Sequence, residues 1–336
     1  MSETSGTFSK PVAFVRAFVS QYAPWLSLAI GVLARVLSNH DINFAPKAVA
    51  LLIVAWTLPA VFARVLPSPQ AGVKEPKWRN VIRTTGAPFV VVALYKNVLF
   101  FLVPIWFGSA HIPSVNMGAP LVLAAMALFT CFSHQYHHHV IEHPVRRVVW
   151  SAVVLFAALV PALAVLAFMS PRLSLFFAAL LATAIATASL KGGANLLSHR
   201  AVVRLLWSAM PVALLVAAAA PLLPPVPAVC HDKGAGTALL NHNLVNQANS
   251  FPKGTRRVYA WFAVSLPAGY RQRVAFQWFH NGKKVGGPIP STIEGGRSTG
   301  YRTATYKTAP AVGHWRAELY SDASQLVARV SFEIEP

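Results

Sequence analysis

Residues 87–107 read APFVVVALYKNVLFFLVPIWF, an apolar run with one lysine, Lys96, near its middle. A cation at bilayer depth costs about 2.5 to 3.5 kcal/mol even on insertion scales, so it usually faces a cavity or a partner. The four carboxylates of the first two-thirds of the chain all fall in predicted loops or in the N-terminal tail: Glu3, Asp41, Glu75 and Glu142. The sequence therefore predicts a membrane helix whose lysine has no obvious acidic partner.

The composition of the whole chain indicates an integral membrane protein. Of its 336 residues, 55% are hydrophobic and only 12% are charged, and the mean hydropathy is +0.50. A soluble globular chain has about 25% charged residues. Windows of about 20 apolar residues, the length that crosses the hydrocarbon core, predict seven spans, at 19–38, 47–66, 86–108, 117–136, 148–169, 172–190 and 202–223.

The distribution of lysine and arginine predicts the orientation of these spans, because short cytoplasmic loops carry more positive charge. With the N-terminus inside, the outer segments before the end of the seventh span hold only Lys47 and Arg172, and Arg35 lies near an outer helix end, where it can snorkel outward. The inner segments hold twelve: Lys10, Arg16, Arg64, Lys74, Lys77, Arg79, Arg83, Arg146, Arg147, Lys191, Arg200 and Arg204. An odd number of spans then puts the C-terminus outside.

A proline-rich segment, residues 221–227 (PLLPPVP), marks the predicted domain boundary. Proline lacks the amide donor and restricts the residue before it, so the last helix should end here. We predict a helical transmembrane domain at 1–227 and an exported β-domain at 228–336. The second part holds thirteen Lys or Arg against six Asp or Glu and shows strand-like alternation.

The β-domain has several strand signals rich in aromatic and β-branched residues. The runs are 257–266, 273–280, 300–306, 314–320 and 326–334, and Asn281-Gly282 after the second run is a typical hairpin turn. A further strand is expected around 238–244. Short strands at this spacing predict an antiparallel β-sandwich.

Four stretches of the β-domain together resemble an uncharacterised bacterial family of exported β-domains of unknown function. They are Val258-Tyr259-Ala260-Trp261, residues 276–283 (FQWFHNGK), Gly300-Tyr301-Arg302-Thr303 with Lys307, and Gly313-His314-Trp315. Domains of that family often follow helical membrane segments. The resemblance, with the alanine-rich helices, the short loops and the lack of an N-glycosylation sequon in the exported part, predicts the inner membrane of a bacterium, with the β-domain in the periplasm.

A histidine cluster follows the fourth predicted span. Residues 134–139 read HQYHHH, and His143 comes soon after. The H-x-x-H-H spacing resembles one histidine box of the membrane desaturases and hydroxylases, but a di-iron site needs several such boxes. A smaller metal site at His134, His137 and His138 is one hypothesis, since imidazoles one helical turn apart can chelate a divalent ion. The favoured interpretation is a helix end beside Arg146 and Arg147 that meets anionic lipid heads.

Lys96 and the adjacent Asn97 are the other candidate binding residues. The lysine either binds the phosphate of a lipid-linked substrate in a groove or bonds to backbone carbonyls within the bundle. Motifs of several enzyme classes are missing, including Walker A, HExxH and GxSxG. We expect no catalytic residues and no cofactor.

Two groups of side chains give the β-domain its predicted partners. A basic surface suits anionic lipid heads, an acidic glycan or a protein, and an exported domain should not meet nucleic acid. Five aromatic residues form a sugar-stacking platform on one hypothesis and fill the sandwich core on the favoured one: Tyr259, Trp261, Trp278, Tyr301 and Trp315.

The leading interpretation is a non-enzymatic envelope protein that contacts membrane lipids and whose β-domain binds a partner protein, a glycan or a lipid head group. The first alternative is a transporter or lipid-handling protein that uses a groove around Lys96. A metal-dependent membrane enzyme at His134 to His143 is the second.

Overall fold

The computed structural model describes the backbone of residues 87–188 and 199–336, and side chains in 98–132, 135–188 and 200–336. Six α-helices lie in the described part: α1 Ala87–Ser109, α2 Gly118–Cys131, α3 Ser133–Tyr136, α4 Pro144–Leu166, α5 Pro171–Ala188 and α6 His199–Ala218. Short 3-10 turns occur at Val115–Met117 and Ala220–Leu222, and a π-helical turn occurs at His137–Ile141.

Three of the described helices are long and apolar enough to cross a membrane: Pro144–Leu166, Pro171–Ala188 and the segment Arg200–Ala218 of α6. They correspond to the last three predicted spans. The first two predicted spans, 19–38 and 47–66, lie outside the described residues. The stretches Val98–Ser109 and Val115–Cys131 are apolar helices of shorter length. The described part of the chain thus supports three spans and does not support a count of about seven.

The prediction of one continuous helix over 117–136 is wrong. Helix α2 ends at Cys131, and a bend at Phe132 precedes the four residues of α3. The next turn is π-helical: the amide of Glu142 donates to the carbonyl of His137, five residues earlier, at 3.1 Å. The change comes where the apolar sequence gives way to polar residues and histidines.

Alanine allows α5 and α6 to approach closely. Ala179, Leu180 and Ala184 of α5 form one buried cluster with Ala209 and Ala213 of α6. Small residues at such positions favour helix association where water provides no hydrophobic driving force.

The C-terminal part forms two β-sheets. The strands are β1 Val229–Leu240, β2 Asn243–Gln247, β3 Ser250–Phe251, β4 Arg257–Ser265, β5 Arg271–His280, β6 Lys283–Glu294, β7 Tyr301–Thr308, β8 Gly313–Ser321 and β9 Leu326–Ile334. The four-stranded sheet has the order β2-β1-β4-β7, and the five-stranded sheet has the order β3-β9-β8-β5-β6. All pairs are antiparallel except β3 with β9, which is parallel.

Alternate residues of the two sheets share one hydrophobic core. Phe262 of β4 and Phe276 of β5 lie on different sheets, and their ring centroids are 5.9 Å apart. Across the same core, Nε1 of Trp278 donates to Oγ1 of Thr305 at 3.3 Å. The two sheets are therefore the layers of a sandwich, as predicted, with one parallel pair added.

The hairpin at Asn281-Gly282 is confirmed. Both residues have positive φ, 48° and 80°, the conformation that a tight two-residue turn between β5 and β6 requires. Strand β6 was not predicted, because it contains Pro288 and Pro290. It lies at the edge of its sheet, where proline removes no necessary hydrogen bond.

The strand predicted around 238–244 is wrong in position. The structure instead has a hairpin, with β1 ending at Leu240 and β2 beginning at Asn243. Asn241 and His242 form its turn, with φ of 48° and 62°. The turn lacks glycine, and Asn is the residue type beside glycine that tolerates this conformation best. Strand β1 also begins earlier than expected, directly after the proline-rich segment.

Three stretches of the described chain, residues 105–122, 148–188 and 199–336, belong to one compact unit, and residues 87–104 and 123–147 belong to another. The first unit contains the C-terminal end of α1, helices α4 to α6 and the whole β-domain. Ala164 of α4 is fully buried and belongs to the same hydrophobic cluster as the sandwich core. The β-domain core thus continues into the end of a helix, while the boundary at 227 stays a prediction.

We predict that Phe262→Ala destabilises the β-domain by about 3 to 5 kcal/mol, because a fully buried ring leaves a cavity when it is removed. Chemical denaturation of the solubilised full chain, followed by tryptophan fluorescence, measures this change. Leu240→Ala is the control, since Leu240 is 66% exposed, and it should change the unfolding free energy by less than about 0.5 kcal/mol. Equal effects of the two changes would contradict this description of the core.

Candidate binding face and its support on the helices

The outer side of the four-stranded sheet carries arginine, two tyrosines and a tryptophan, Trp261, which is only 8% exposed. Val258, Ala260, Phe262 and Val264 of β4 point into the core, so the alternating residues between them point outward. Tyr306 of β7 lies directly opposite Tyr259 and shares this face. We call the four residues Arg257, Tyr259, Trp261 and Tyr306 the tyrosine face.

The two tyrosines and the arginine form a compact stack. The rings of Tyr259 and Tyr306 have centroids 5.6 Å apart, at an angle of 53°. The guanidinium carbon of Arg257 lies 4.4 Å from the centroid of Tyr306, and Nη1 donates to Oη of Tyr259 at 3.1 Å. Tyr306 remains 50% exposed. The stack therefore holds an accessible aromatic surface next to a fixed cation.

The charge of Arg257 is not neutralised by a neighbour. Among the described residues, no carboxylate lies within salt-bridge distance of its guanidinium. The hydrogen bond to Tyr259 raises the pKa of Arg257 above its already high value, so the side chain is permanently charged. The guanidinium has five N–H donors, and its bond to Tyr259 uses one of them.

The hairpin of β1 and β2 is held next to the tyrosine face. Nε1 of Trp261 donates to the carbonyl of His242, in the hairpin turn, at 2.8 Å. Gly236 lies opposite Tyr259 in the sheet and opposite Gln247 on its other side. A β carbon at Gly236 would lie 2.6 Å from the carbonyl oxygen of Val245, so only glycine permits this close approach. Gln247, Gly236, Tyr259 and Tyr306 thus form one cross-strand row.

The five aromatic residues of the stacking hypothesis lie in two different places, the sandwich core and the outer face of the four-stranded sheet. Trp278 and Trp315 are each 3% exposed and belong to the core, as the favoured interpretation held, and Tyr301 packs against it. Tyr259 and Trp261 are on the outer face instead. Sequence reasoning missed Tyr306, although its alternation with Thr303 and Thr305, which are both buried, was a usable signal.

The opposite end of the sandwich rests on connections between helices. Oη of Tyr270, in the loop between β4 and β5, donates to the carbonyl of Met169, between α4 and α5, at 2.7 Å. Beside this bond, a β carbon at Gly269 would lie 3.2 Å from the ring of Phe168. Gly269 also has φ of +78°, which favours glycine on conformational grounds.

Two buried side-chain amides join the turn between β8 and β9 to the helical part of the chain. Nε2 of Gln325 donates to the carbonyls of Leu223 and Pro224, at 3.3 and 2.9 Å. Nδ2 of Asn116, between α1 and α2, donates to the carbonyl of Leu326 at 3.0 Å. Gln325 and Asn116 are each 1% exposed. Because buried polar groups are costly when unpaired, these bonds define how the domain sits on the helix connections.

A titratable pair lies at the same junction. Nζ of Lys233, on β1, is 3.3 Å from Nδ1 of His111, in the segment after α1. Burial, Lys233 and Arg329 together lower the pKa of His111 to about 4, while Glu318 acts in the opposite direction. Burial also lowers the pKa of Lys233. The imidazole is therefore neutral at pH 7 and accepts a hydrogen bond from the ammonium.

The candidate binding residues that precede the β-domain are only partly described. Lys96 and Asn97 lie in helix α1, but their side chains are outside the described set, so a groove around Lys96 stays a prediction. Arg146 and Arg147 lie in the first turn of α4 and are exposed. Nη1 of Arg146 donates to the carbonyl of His139 at 3.4 Å, and the binding of lipid heads by these two arginines stays a prediction.

The histidine cluster binds its own acidic neighbour. Nδ1 of His138 lies 2.9 Å from one carboxylate oxygen of Glu142, and Nδ1 of His137 lies 3.9 Å from the other. Nδ1 of His139 lies 3.1 Å from the carbonyl of Gln135. The side chain of His134 is not described. Where side chains are described, no three His, Cys, Asp or Glu residues form a metal-binding group.

Residues 271–334, which run from β5 to the end of β9, match a family described as "Protein of unknown function (DUF2914)". No curated protein matches the chain. The match agrees with the resemblance to an uncharacterised family, and it is confined to the C-terminal strands. Tyr306 lies inside the matched segment, whereas Arg257, Tyr259 and Trp261 precede it.

We predict that the stability of the unit falls as the pH drops from about 6.5, the ordinary pKa of histidine, to about 4, the value for folded His111. Between these values the unfolded chain binds more protons than the folded one, so acid favours unfolding, and the full stabilisation is present above pH 6.5. His111→Gln keeps a hydrogen-bond acceptor and cannot be protonated.

Denaturant midpoints of the wild type and of His111→Gln at neutral and acid pH measure this effect. The loss of stability between the two pH values should be smaller for His111→Gln, because glutamine binds no proton in this range. The groups that face position 111, namely Lys233, Arg329 and Glu318, are the same in both proteins. An identical pH dependence of both proteins would show that His111 does not titrate at this junction.

Proposed function

We propose that the protein is a non-enzymatic membrane protein of the bacterial envelope. Its N-terminal part, residues 1–227, anchors it through about seven spans in the inner membrane. Its C-terminal domain, residues 228–336, lies in the periplasm and binds a partner protein, a glycan or a lipid head group. The observation that carries this proposal is the tyrosine face, where the half-exposed Tyr306 adjoins Arg257, a cation with no carboxylate partner in the described part of the chain.

The position of this face supports a binding role. Arg257 begins β4, and the other end of the strand leads into the loop that contacts Met169. At about 3.3 Å per residue, the nine residues of β4 separate the two ends by roughly 26 Å. Arg257 thus lies well away from the connection that holds Met169, while several buried hydrogen bonds attach the domain to the helix connections.

The contacts of the domain support the proposed orientation. Asn116, Met169 and Leu223 lie in or next to three connections that the charge bias assigns to the outer side. A domain that touches these three connections and follows the last span belongs on the same side of the bilayer. An outer location also agrees with an N-terminus in the cytoplasm.

We predict that a cysteine at Ser298, an exposed residue between β6 and β7, reacts with a membrane-impermeant maleimide in intact spheroplasts. Cys131 and Cys230 are replaced by serine in this experiment. His143→Cys in the same background is the control, because His143 is exposed on the proposed cytoplasmic side, and it should react only after lysis. Protection of Ser298→Cys until lysis would overturn the orientation.

We predict that a photoreactive benzoylphenylalanine in place of Tyr306 forms an adduct with an envelope component in living cells. The same residue in place of Ser331, which is exposed on the other sheet, should form none, because a binding face concentrates its ligand at one surface. Gel mobility and mass spectrometry of the purified adduct identify its chemical class. A lack of adducts from position 306 would contradict the binding function.

A further inference from the structure

We infer that the tyrosine face binds an acidic saccharide, a glycan that carries carboxylate or phosphate groups. This inference rests on the proposed function, because it assumes that the β-domain is a binding module outside the cytoplasm. It narrows the three partner classes to one and assigns roles to particular side chains: stacking to Tyr306 and Tyr259, and recognition of the anion to Arg257.

The two tyrosines supply the stacking surface. An aromatic ring has a negative face, which attracts the polarised C–H groups of a pyranose ring. Tyr306 is half exposed, and its contact with Tyr259 limits the directions in which the ring can turn. A side chain that is already ordered loses little entropy when a ligand binds. The stack is therefore preorganised for a flat ligand.

Arg257 supplies the charge selectivity. Its guanidinium is held against Tyr306 and Tyr259 and has no carboxylate partner among the described residues. Arginine recognises carboxylate and phosphate through paired N–H donors. An anionic group on a sugar that stacks on Tyr306 would lie within reach of this cation. A neutral sugar would leave the charge uncompensated.

The hairpin of β1 and β2 extends the surface with amide side chains. The row of Gln247, Gly236, Tyr259 and Tyr306 crosses four strands, which spans about 14 Å at the usual strand spacing. Leu244 covers Gly236 within this row, and Gln247 at its far end is exposed. Amide groups donate and accept hydrogen bonds, as sugar hydroxyls require. The row has the length and chemistry for a short oligosaccharide.

The same geometry disfavours the other two partner classes. A peptide that binds by strand addition would pair with the edge strand β7, which carries Tyr306, and its backbone hydrogen bonds would leave the charge of Arg257 without a ligand group. Lipid heads lie at the membrane, and Arg257 is at the end of β4 remote from the helix connections. A saccharide that carries an anionic group would use both the rings and the cation of the tyrosine face.

The test uses the full chain in nanodiscs of neutral phosphatidylcholine and a fluorescent short oligogalacturonate as the probe. The methyl-esterified form of the same oligosaccharide is the matched neutral ligand. We expect saturable binding of the acidic probe, at least tenfold tighter than that of its ester, since a hydrogen bond to a charged group is lost in the ester. The affinity should fall as the salt concentration rises.

Four variants test the assigned roles. Arg257→Gln and Tyr306→Ala should each weaken binding of the acidic probe by at least tenfold. Tyr306→Phe keeps the ring and should bind within about threefold of the wild type. Lys284→Gln removes one positive charge from the exposed edge strand of the other sheet and should bind within about twofold, because screening weakens distant charges. Near-native binding by both Arg257→Gln and Tyr306→Ala would overturn the inference.

Further outcomes separate the inference from the proposed function. Equal binding of the acidic probe and its ester, both lost in Tyr306→Ala, would refute the acidic class while the binding function stands. A glutamate-rich peptide that binds more tightly than the oligogalacturonate would replace the saccharide by a protein partner. If the wild type binds no probe while position 306 still forms adducts in cells, the inference alone fails. If adducts are absent as well, both fail.

Discussion

A buried amide, that of Gln325, joins the last helix to the sandwich, and the arrangement of the C-terminal half depends on it. Helix α6 ends at Ala218, and the prolines that follow cannot continue the hydrogen-bond pattern of a helix. Nε2 of Gln325 donates to the carbonyls of Leu223 and Pro224, and the carbonyl of Pro224 also accepts from the amide of Val226. Ser321 holds the same side chain from within the β8–β9 turn. Carbonyl groups that follow the last helix thus accept hydrogen bonds from a side chain of the β-domain.

The bonds between the β-domain and the helical part also limit the motion of the tyrosine face at the other end of the domain. A domain on a flexible linker presents any surface in any direction, and each ligand contact must then offset the loss of that freedom. Here Gln325 bonds to the segment after α6, Tyr270 bonds to the connection between α4 and α5, and Asn116, between α1 and α2, donates to Leu326 of β9. The tyrosine face consequently keeps a constant orientation relative to these connections.

The basic residues of the sandwich fall into two groups that the net charge does not distinguish. Arg316 and Arg329 form ion pairs with Glu318, which is 1% exposed, at 3.1 and 2.6 Å. These two cations share one carboxylate on the outer side of the five-stranded sheet, so each is paired although the group keeps a net positive charge. Arg257 has aromatic neighbours instead of a carboxylate. Only the structure shows which positive charges remain available for a ligand.

Local patterns in the sequence determined the class of the elements and most of their bounds. Alternation of apolar residues located β4, β5, β7, β8 and β9, because a strand with one buried face must alternate. Asn281-Gly282 specified its turn through its own backbone preferences, and the apolar lengths of α4, α5 and α6 marked the three helices that can cross a membrane. Strand β6 escaped this reasoning, since its prolines are tolerated only at a sheet edge, and edge position is a property of the whole sheet.

Tertiary structure alone decided the candidate site and its support. Tyr259 meets Tyr306, and Gln325 meets Leu223, because strand register and the docking of the sandwich bring together residues that are far apart in the chain. The aromatic residues that looked alike in the sequence were separated in the same way, Trp278 and Trp315 to the core and Tyr259 to the outer face. Local preferences specify which way neighbouring side chains alternate, whereas the partner that each one meets depends on the packing of distant segments, which no local pattern contains.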